Sequence, residues 1–352
     1  MGDFDAQGKV DRRQFMKLAS MVGGGIMLMA CAPTAVAPNP TATPATAAKP
    51  KVSANINFAS TAGGVGFFMM PYLVAQELFL KDEGITEKMT VFGGGGDTVR
   101  GIAEGGHQIG HPGPNSVAIA AAEGQPLRII AENLPFASTY WFVKADSPIK
   151  SMPDAKGKKL GYSRPGSISQ TMAFTALRSV GLKPDQDVQM VGAGGPAEQL
   201  TGVKTGVIDI GWLNDPLLAQ ELLKKEIRVI ASANDFIPNW SETMLTTTVD
   251  YAKANGDVLT AYLRAHQKAM DFIKSSPDRA AEIWAKGQDI TPDLAKSTMK
   301  NYPIQKFTSR IDPAILKAIS DDMIANNQLK QPPEWNKIVD QSFLAPELRT
   351  QI

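Results

Sequence analysis

Ser163-Arg164-Pro165-Gly166-Ser167-Ile168-Ser169 sets hydroxyls and uncommitted backbone N–H groups at the start of a long amphipathic segment. That is how a helix N-terminus holds an anion or a carbonyl. The same stretch also reads as a capped helix with Ser167 at the cap, and the two readings are compatible. Arg164, just before a proline, either adds charge to this site or points to solvent. Thr61-Ala62-Gly63-Gly64-Val65-Gly66 is a second loop whose missing side chains let the backbone approach a bound group, or else a turn with packing duties. It matches neither a dinucleotide fingerprint nor a phosphate loop, because no ribose-binding acid and no Gly-Lys-Ser/Thr follows. Gly93-Gly94-Gly95-Gly96-Asp97 either lines a cleft or forms a flexible turn, with Asp97 placed to cap the next helix. Gly192-Ala193-Gly194-Gly195-Pro196 and Trp212-Leu213-Asn214-Asp215 repeat the arrangement further on, the second adding an aromatic wall and polar groups. Asp215 before Pro216 reads most simply as a helix cap.

Histidine and acid/base chemistry is sparse. His107 and His111 would share a helix face, but Gly105, Gly106, Gly110 and Pro112 favour a strand and turn. Four residues of strand span about 13 Å, too far for one ion. His111 then stands as a pocket donor or a structural histidine, with Asn115 in the turn beyond it as a further ligand-binding candidate. No Gly-x-Ser-x-Gly elbow is present, and no acid pair is set off by histidine. The chemistry suits binding better than turnover, with no cofactor and no metal. Trp141 and Phe142 fall where the chain would cross between lobes and either stack on a ligand or pack in the core. Phe67, Trp141 and Trp212 would suit a flat heterocycle.

These loops need a scaffold, and the hydrophobic pattern supplies one. In 352 residues, 43% are hydrophobic and 20% charged, the balance of a globular chain of one large domain or two lobes. Lys+Arg 36 against Asp+Glu 35 leaves a formal charge of +1, which disfavours nucleic acid as a partner. From Asn55, short β-branched runs alternate with amphipathic segments, which predicts an α/β fold. Strands are expected at 56–60, 89–92, 108–111, 127–131, 140–144, 159–163, 188–191, 209–212, 228–232 and 243–249. Helices are expected between most of them, and after Asp250 only helices. The run Gly106–Ala131 echoes Gly206–Ala231 in its strand, proline turn, helix and strand, which favours two similar lobes, each on its own sheet.

The first fifty residues read as an address. Arg12-Arg13-Gln14-Phe15-Met16-Lys17 precedes an apolar stretch, Leu18 to Ala30, too short and too glycine-rich for a membrane span. It resembles a twin-arginine export signal. Leu28-Met29-Ala30-Cys31 resembles a lipoprotein lipobox, and Cys31 is the single cysteine of the chain. Pro33 to Pro50 is nearly all Ala, Pro and Thr, too poor in apolar surface to fold, and reads as a tether.

Together these features resemble the substrate-binding lipoproteins of bacterial ABC importers, in the nitrate/sulfonate/taurine group that also holds the thiamine-pyrimidine-precursor binders. The resemblance covers about Ile56 to Lys330. It rests on the opening strand and glycine loop before Tyr72-Leu73-Val74-Ala75-Gln76-Glu77, on Gly101-Ile102-Ala103-Glu104-Gly105-Gly106-His107-Gln108-Ile109-Gly110, on Lys156-Gly157-Lys158-Lys159-Leu160-Gly161 and on Ser163–Ser167. It implies a two-lobed type II periplasmic-binding-protein fold with a C-terminal helical segment. Residues 1–30 would be the export signal, 31–53 the lipidated tether, 54–143 with 247–352 lobe I, and 144–246 lobe II, with two crossovers as a hinge. It further implies pocket positions at Thr61, Gly63, His111, Ser163, Gly166, Ser167, Gly194, Trp212 and Asn214. The expected ligand is a sulfonate, nitrate, a pyrimidine or a flavin-like vitamin, and the expected partners are a permease, its ATPase and the membrane through Cys31. The body is expected to act as a monomer. Pyrimidine-synthase relatives are enzymes with a cysteine-rich motif, which this chain lacks.

Overall fold

Runs such as Ile56-Asn57-Phe58-Ala59 and Arg128-Ile129-Ile130-Ala131 alternate or concentrate apolar residues over five to eight positions, the pattern of strands buried on one or both faces. In the computed structural model, which describes residues 52–352, such runs form strands. The expected export signal, Cys31 and nearly all of the expected tether lie outside the described residues. In chain order the strands are β1 (Ala54–Ser60), β2 (Ile85–Val91), β3 (Ile109–Gly110), β4 (Leu127–Leu134), β5 (Thr139–Lys144), β6 (Lys159–Tyr162), β7 (Gln189–Gly192), β8 (Gly211–Asn214), β9 (Ile227–Ser232) and β10 (Thr243–Thr248). The helices between them are α1 (Met69–Leu78), α2 (Gly95–Ala103), α3 (Pro114–Ala122), α4 (Ile168–Ser179), α5 (Pro196–Thr205) and α6 (Leu217–Lys224). After β10 come α7 (Val249–Ala254), α8 (Gly256–Ser275), α9 (Pro277–Gln288), α10 (Pro292–Met299), α11 (Pro313–Ala325) and α12 (Trp335–Ile338).

The first sheet has the order β2-β1-β3-β10-β4, with β1 parallel to β2 and β3, and β10 antiparallel to β3 and β4. In the second lobe β8-β5-β9 is antiparallel and β6-β7 parallel, and a parallel bridge at Leu160 and Ile210 joins the two pieces beside β8. The second lobe therefore reads β7-β6-β8-β5-β9, the plan of the first. The echo between 106–131 and 206–231 is this repeat, β3-α3-β4 against β8-α6-β9.

Each sheet takes one strand from beyond the other: β5 follows β4 yet pairs with β8 and β9, and β10 follows β9 yet pairs with β3 and β4. The crossovers are residues 135–138 and 233–242. The expected division at 143/144 falls at the end of β5, so that strand pairs on the other side of the division from where it was placed. Strand membership depends on a partner distant in sequence, and nothing within Thr139–Lys144 encodes it.

The crossovers and the strand ends beside them are bonded to each other. Glu132 Oε1 accepts from Ser241 Oγ at 2.7 Å, and Asn133 Nδ2 donates to Thr243 Oγ1 at 2.8 Å. Glu242 accepts from the Ser138 backbone N–H. Helix α8 buries Leu259, Tyr262, Leu263, His266, Met270 and Ile273, spaced three and four apart, against the first lobe. A second core joins both lobes, with Val99, Val117 and Ile129 on one side and Met172, Trp141 and Trp212 on the other. Helix α11 belongs to that shared core rather than to the first lobe alone. Among the described residues no helix is long and apolar enough to cross a membrane.

Candidate functional site

The cleft between the lobes is walled by backbone where the strands end. From the first lobe come Thr61, Ala62, Phe68, Gly94 and Gly95. Thr139, Ser163, Ile168, Ser169, Trp212 and Asn214 come from the second, and Glu242 and Thr243 from the end of the second crossover. The space left for the centre of a water-sized sphere is about 20 Å³. That holds a water and no organic ion, so a larger solute enters only as the lobes part.

Two helix N-termini meet here. Helix α4 opens at Ser167, whose Oγ accepts from the Gln170 N–H at 3.3 Å, while the N–H groups of Ile168 and Ser169 find no acceptor among the described residues. Helix α2 opens at Gly94 from the opposite lobe, and the N–H groups of Gly95 and Gly96 are likewise unengaged. The glycines allow this approach: a Cβ on Gly94 would stand 3.0 Å from Ser163 Oγ, and one on Gly95 would stand 2.4 Å from Ser116 Oγ. Their role is to line the cleft. Asp97 does not cap α2; it pairs with Arg100 at 2.6 Å and, across the cleft, with Arg164 at 3.5 Å.

Two buried side-chain atoms at the cavity lack a protein partner: Trp212 Nε1, a donor, and Asn214 Oδ1, an acceptor. The rest of Asn214 is committed, its Nδ2 donating to Glu242 Oε1 at 2.6 Å and to Ser138 Oγ at 2.9 Å. Glu242 is the single ionisable side chain among the lining residues. Burial pushes its carboxyl up to about 7, against the hydrogen bonds from Ser138 and Asn214 that favour its charged form. The site thus offers amide and indole donors, no cationic side chain and one carboxyl.

Of the expected positions, Thr61, Ser163, Trp212 and Asn214 line the cavity. The others do not. Phe67 is wholly buried in an aromatic cluster, stacked on Tyr302 with centroids 4.0 Å apart and edge-on to Trp284 at 5.3 Å, while its neighbour Phe68 faces the cleft. His111 lies beneath, its Nε2 2.9 Å from Ser60 Oγ and its ring edge-on to Phe68 at 5.1 Å; burial, then the charge of His266, lowers its pKa to about 3. It is a structural histidine. Gly63 is exposed, with its N–H spent on the Phe92 carbonyl at 3.0 Å, and the Gly194 N–H goes to the Ser163 carbonyl at 3.2 Å.

Asn115 and Gly166 instead fasten the lobes together. Asn115 Nδ2 on α3 donates to the Gly166 carbonyl at 3.2 Å and to Thr171 Oγ1 at 2.8 Å, and Ser116 Oγ donates to the same carbonyl at 2.9 Å. Ser167 is the cap, as expected. Asp215 accepts from the Ala219 N–H at 3.0 Å and, from the C-terminal helices, the Tyr302 hydroxyl at 2.8 Å. Trp141 and Phe142 are core residues. Sequence reading missed Phe68, Thr139, Ser169, Thr243 and Glu242 as lining residues; Ser169 alone had a local signal, its place at the start of α4.

A family profile described as NMT1/THI5 like matches residues 67–280, more than half of the chain. The chain belongs to the NMT1/THI5-like family. This NMT1/THI5-like protein is 24% identical over 238 residues to an aliphatic sulfonates-binding protein of Escherichia coli (strain K12), covering 67% of this chain and 70% of that one. Its fold matches the alkanesulfonate-binding protein SsuA of Xanthomonas axonopodis pv. citri, solved bound to MOPS, with a TM-score of 0.71 and 16% identity over 86% of this chain and all of that one. The desulfurization enzyme DSZB also shares the fold, with a TM-score of 0.61 and 17% identity over 82% of this chain and 97% of that one. The two-lobed fold of periplasmic binding proteins is therefore that of this protein. Fold alone does not separate binder from enzyme.

Proposed function

We propose that this NMT1/THI5-like protein is the extracytoplasmic solute-binding component of an ABC importer, and that it captures a small organic anion of the sulfonate type between its lobes. The observation that carries this reading is the convergence, from opposite lobes, of the unengaged amides of Gly95 and Ser169 with the unpartnered Trp212 Nε1. Helix N-termini hold an anion through oriented N–H groups and the helix dipole, without a lysine or arginine. An anion touching both N-termini stabilises the closed state over the open one by the contacts that only closure supplies. The sulfonate-binding name of the sequence relative agrees with this chemistry.

Binding without turnover is favoured by the poverty of the lining in acid/base groups, since Glu242 is alone there and is already engaged by Ser138 and Asn214. Delivery to a permease and its ATPase follows from the importer role. The lipobox-like Leu28-Met29-Ala30-Cys31 supports an acyl anchor on the outer side of the membrane. Replacing Cys31 by Ser should move the protein from the membrane pellet to the soluble fraction; retention in the pellet rejects the anchor.

Calorimetry of the purified body against alkanesulfonates, nitrate, pyrimidines and flavins tests the main reading. One saturable site for a sulfonate is expected. Saturable binding of a neutral heterocycle in its place, or steady product formation, overturns it.

A further inference from the structure

The start of α3 ties the lobes through Asn115, and the other end of the same helix presents alanines. Ala118, Ala121 and Ala122 are spaced three and four apart and so share one face. Side chains this short do not fill the space in front of residues 328–338, and a groove stays open there, with about 710 Å³ for the centre of a water-sized sphere. Leu127 and Ile338 complete its apolar floor. The wall facing the alanines is held at both ends. Asn326 Nδ2 donates to Thr175 Oγ1 at 2.9 Å, and Trp335 Nε1 donates to Ser320 Oγ at 2.8 Å. Pro332 and Pro333 stiffen the stretch between them. The groove is therefore preformed, and its size falls in the range of small-ligand sites, about 300–1,000 Å³.

Its charge is unbalanced. Lys337 pairs with Glu334, the one acid in the lining, which leaves Arg128 and Lys330 with no carboxylate partner among the described residues. One N–H group of Arg128 goes to the Leu127 carbonyl at 2.8 Å, and the rest of its fork finds no acceptor among those residues. Gln328 Oε1 accepts from Thr171 Oγ1 at 2.9 Å, whereas Gln328 Nε2 is buried and donates to nothing there. A buried donor without a partner is costly, and an arginine fork matches a carboxylate with two parallel hydrogen bonds. Two unpaired cations and a buried amide donor beside an apolar floor suit an anionic head on an apolar chain.

A peptide strand or a bilayer suits the groove less. A strand would add to the sheet at its β4 edge, and at Ile129 that edge is already taken by Val339 and by the Asp340 N–H, 2.8 Å from the Ile129 carbonyl. A bilayer needs apolar side chains that stand out from the surface. The large exposed ones among the described residues, Val91, Val207, Leu222 and Leu223, do not line the groove.

We propose that the groove between α3 and the C-terminal segment is a second binding site, separate from the inter-lobe cleft, and that it takes a single-chain amphipathic carboxylate. The carboxylate meets Arg128, Lys330 and Gln328 Nε2, and the chain lies on the alanine face of α3. The cleft has the opposite makeup, with no cationic side chain in its lining and room for a water alone, so the two sites take different molecules.

Calorimetry on Pro50–Ile352, the compact unit that contains both cores, tests this with decanoate, propanoate and decyltrimethylammonium, each below its micelle concentration. Decanoate should bind at one saturable site, roughly tenfold or more tighter than propanoate, which lacks the chain, and than decyltrimethylammonium, which reverses the charge. Lys330 is exposed and has no ion pair to lose among the described residues, so Lys330→Gln should keep the melting temperature and weaken decanoate roughly threefold or more. Adding Arg128→Gln should bring the loss to roughly tenfold or more, and Ala122→Trp, which sets an indole over the floor, should do the same. Saturating 1-propanesulfonate should leave decanoate binding in place. Absence of saturable heat from decanoate overturns the proposal. So does equal affinity for the anionic and cationic amphiphiles, which is apolar association without a site, and so does unchanged affinity in Lys330→Gln and in the double variant. Displacement of decanoate by 1-propanesulfonate moves it to the cleft and also overturns the proposal. Binding to vesicles of anionic phospholipid with no heat from decanoate gives this face to a membrane instead.

Discussion

The inter-lobe cleft and the groove under the C-terminal segment differ in a way that volume alone would misjudge. The groove, between α3, the start of β4 and residues 328–338, has about 710 Å³ of space for the centre of a water-sized sphere, against about 20 Å³ in the cleft. Yet the groove has an apolar floor of Ala118, Ala121, Leu127 and Ile338 and a rim of exposed Lys330 and Lys337, the latter paired with Glu334. The cleft gathers the start of one helix from each lobe, an indole donor, a free amide oxygen and a carboxyl. A binding site in a hinged protein is recognised by buried polar atoms that lack partners and by groups arriving from both moving parts, since only such contacts can drive closure.

Breaking closure should have the largest effect. Gly94→Val has no backbone penalty, because Gly94 is extended (φ −178°, ψ 173°), but its side chain would stand against Ser163 Oγ and Arg164. Solute affinity should fall roughly a hundredfold, about 2.7 kcal/mol, with the melting temperature nearly unchanged. Unchanged affinity would mean that closure does not bring these glycines against Ser163 when solute binds. Trp212→Ala should weaken binding more than tenfold, about 1.4 kcal/mol or more, and a variant that binds normally would return the indole to the core.

The buried ionisable groups around the cleft and hinge sharpen the contrast through pH. Folding raises Glu132 to about 8 and Glu242 to about 7, and Glu87 at the edge of the first lobe to about 8, in each case chiefly through burial. It lowers His111 and His266 to about 3, again chiefly through burial. The carboxyls stabilise the fold fully below their unfolded value of 4.5 and lose that contribution as pH rises through 7 to 8. The histidines contribute above 6.5 and lose their share as pH falls. The trends oppose each other between 4.5 and 6.5, and above 6.5 the carboxyls act alone. The melting temperature should decline from pH 6.5 to 8.5, and Glu242→Gln should flatten that decline. A flat profile in the unaltered protein would contradict the burial of these carboxyls. The smallest effect belongs to the groove: Lys330→Ala should leave solute affinity within about twofold, and a larger loss would transfer binding to that side of the molecule.

What the sequence made legible follows from what is local. Every expected strand forms, because period-two and continuous apolar runs act over five to eight residues, and the repeat of β3-α3-β4 in β8-α6-β9 was visible as matched turns. Long-range pairing was not visible, which is why β5 was assigned to the wrong side of the crossover. In the site, Ser163 and Trp212 stood out because they end strands. Phe67-Phe68-Met69-Met70 is uniformly apolar, so nothing local shows that Phe68 rather than Phe67 faces the cleft. Glu242 was missed because Asn239–Glu242 reads as a polar loop, and its burial arises only when Ser138 and Asn214 are brought to it from distant parts of the chain.

The central claim is that an organic anion is held at the meeting of two helix N-termini from opposite lobes. A crystal structure of the protein grown with 1-propanesulfonate tests it most directly. The account predicts sulfonate oxygens within hydrogen-bond distance of the Gly95 and Ser169 amides and of Trp212 Nε1. A sulfonate bound in the groove beside Lys330, or touching one lobe only, would contradict it.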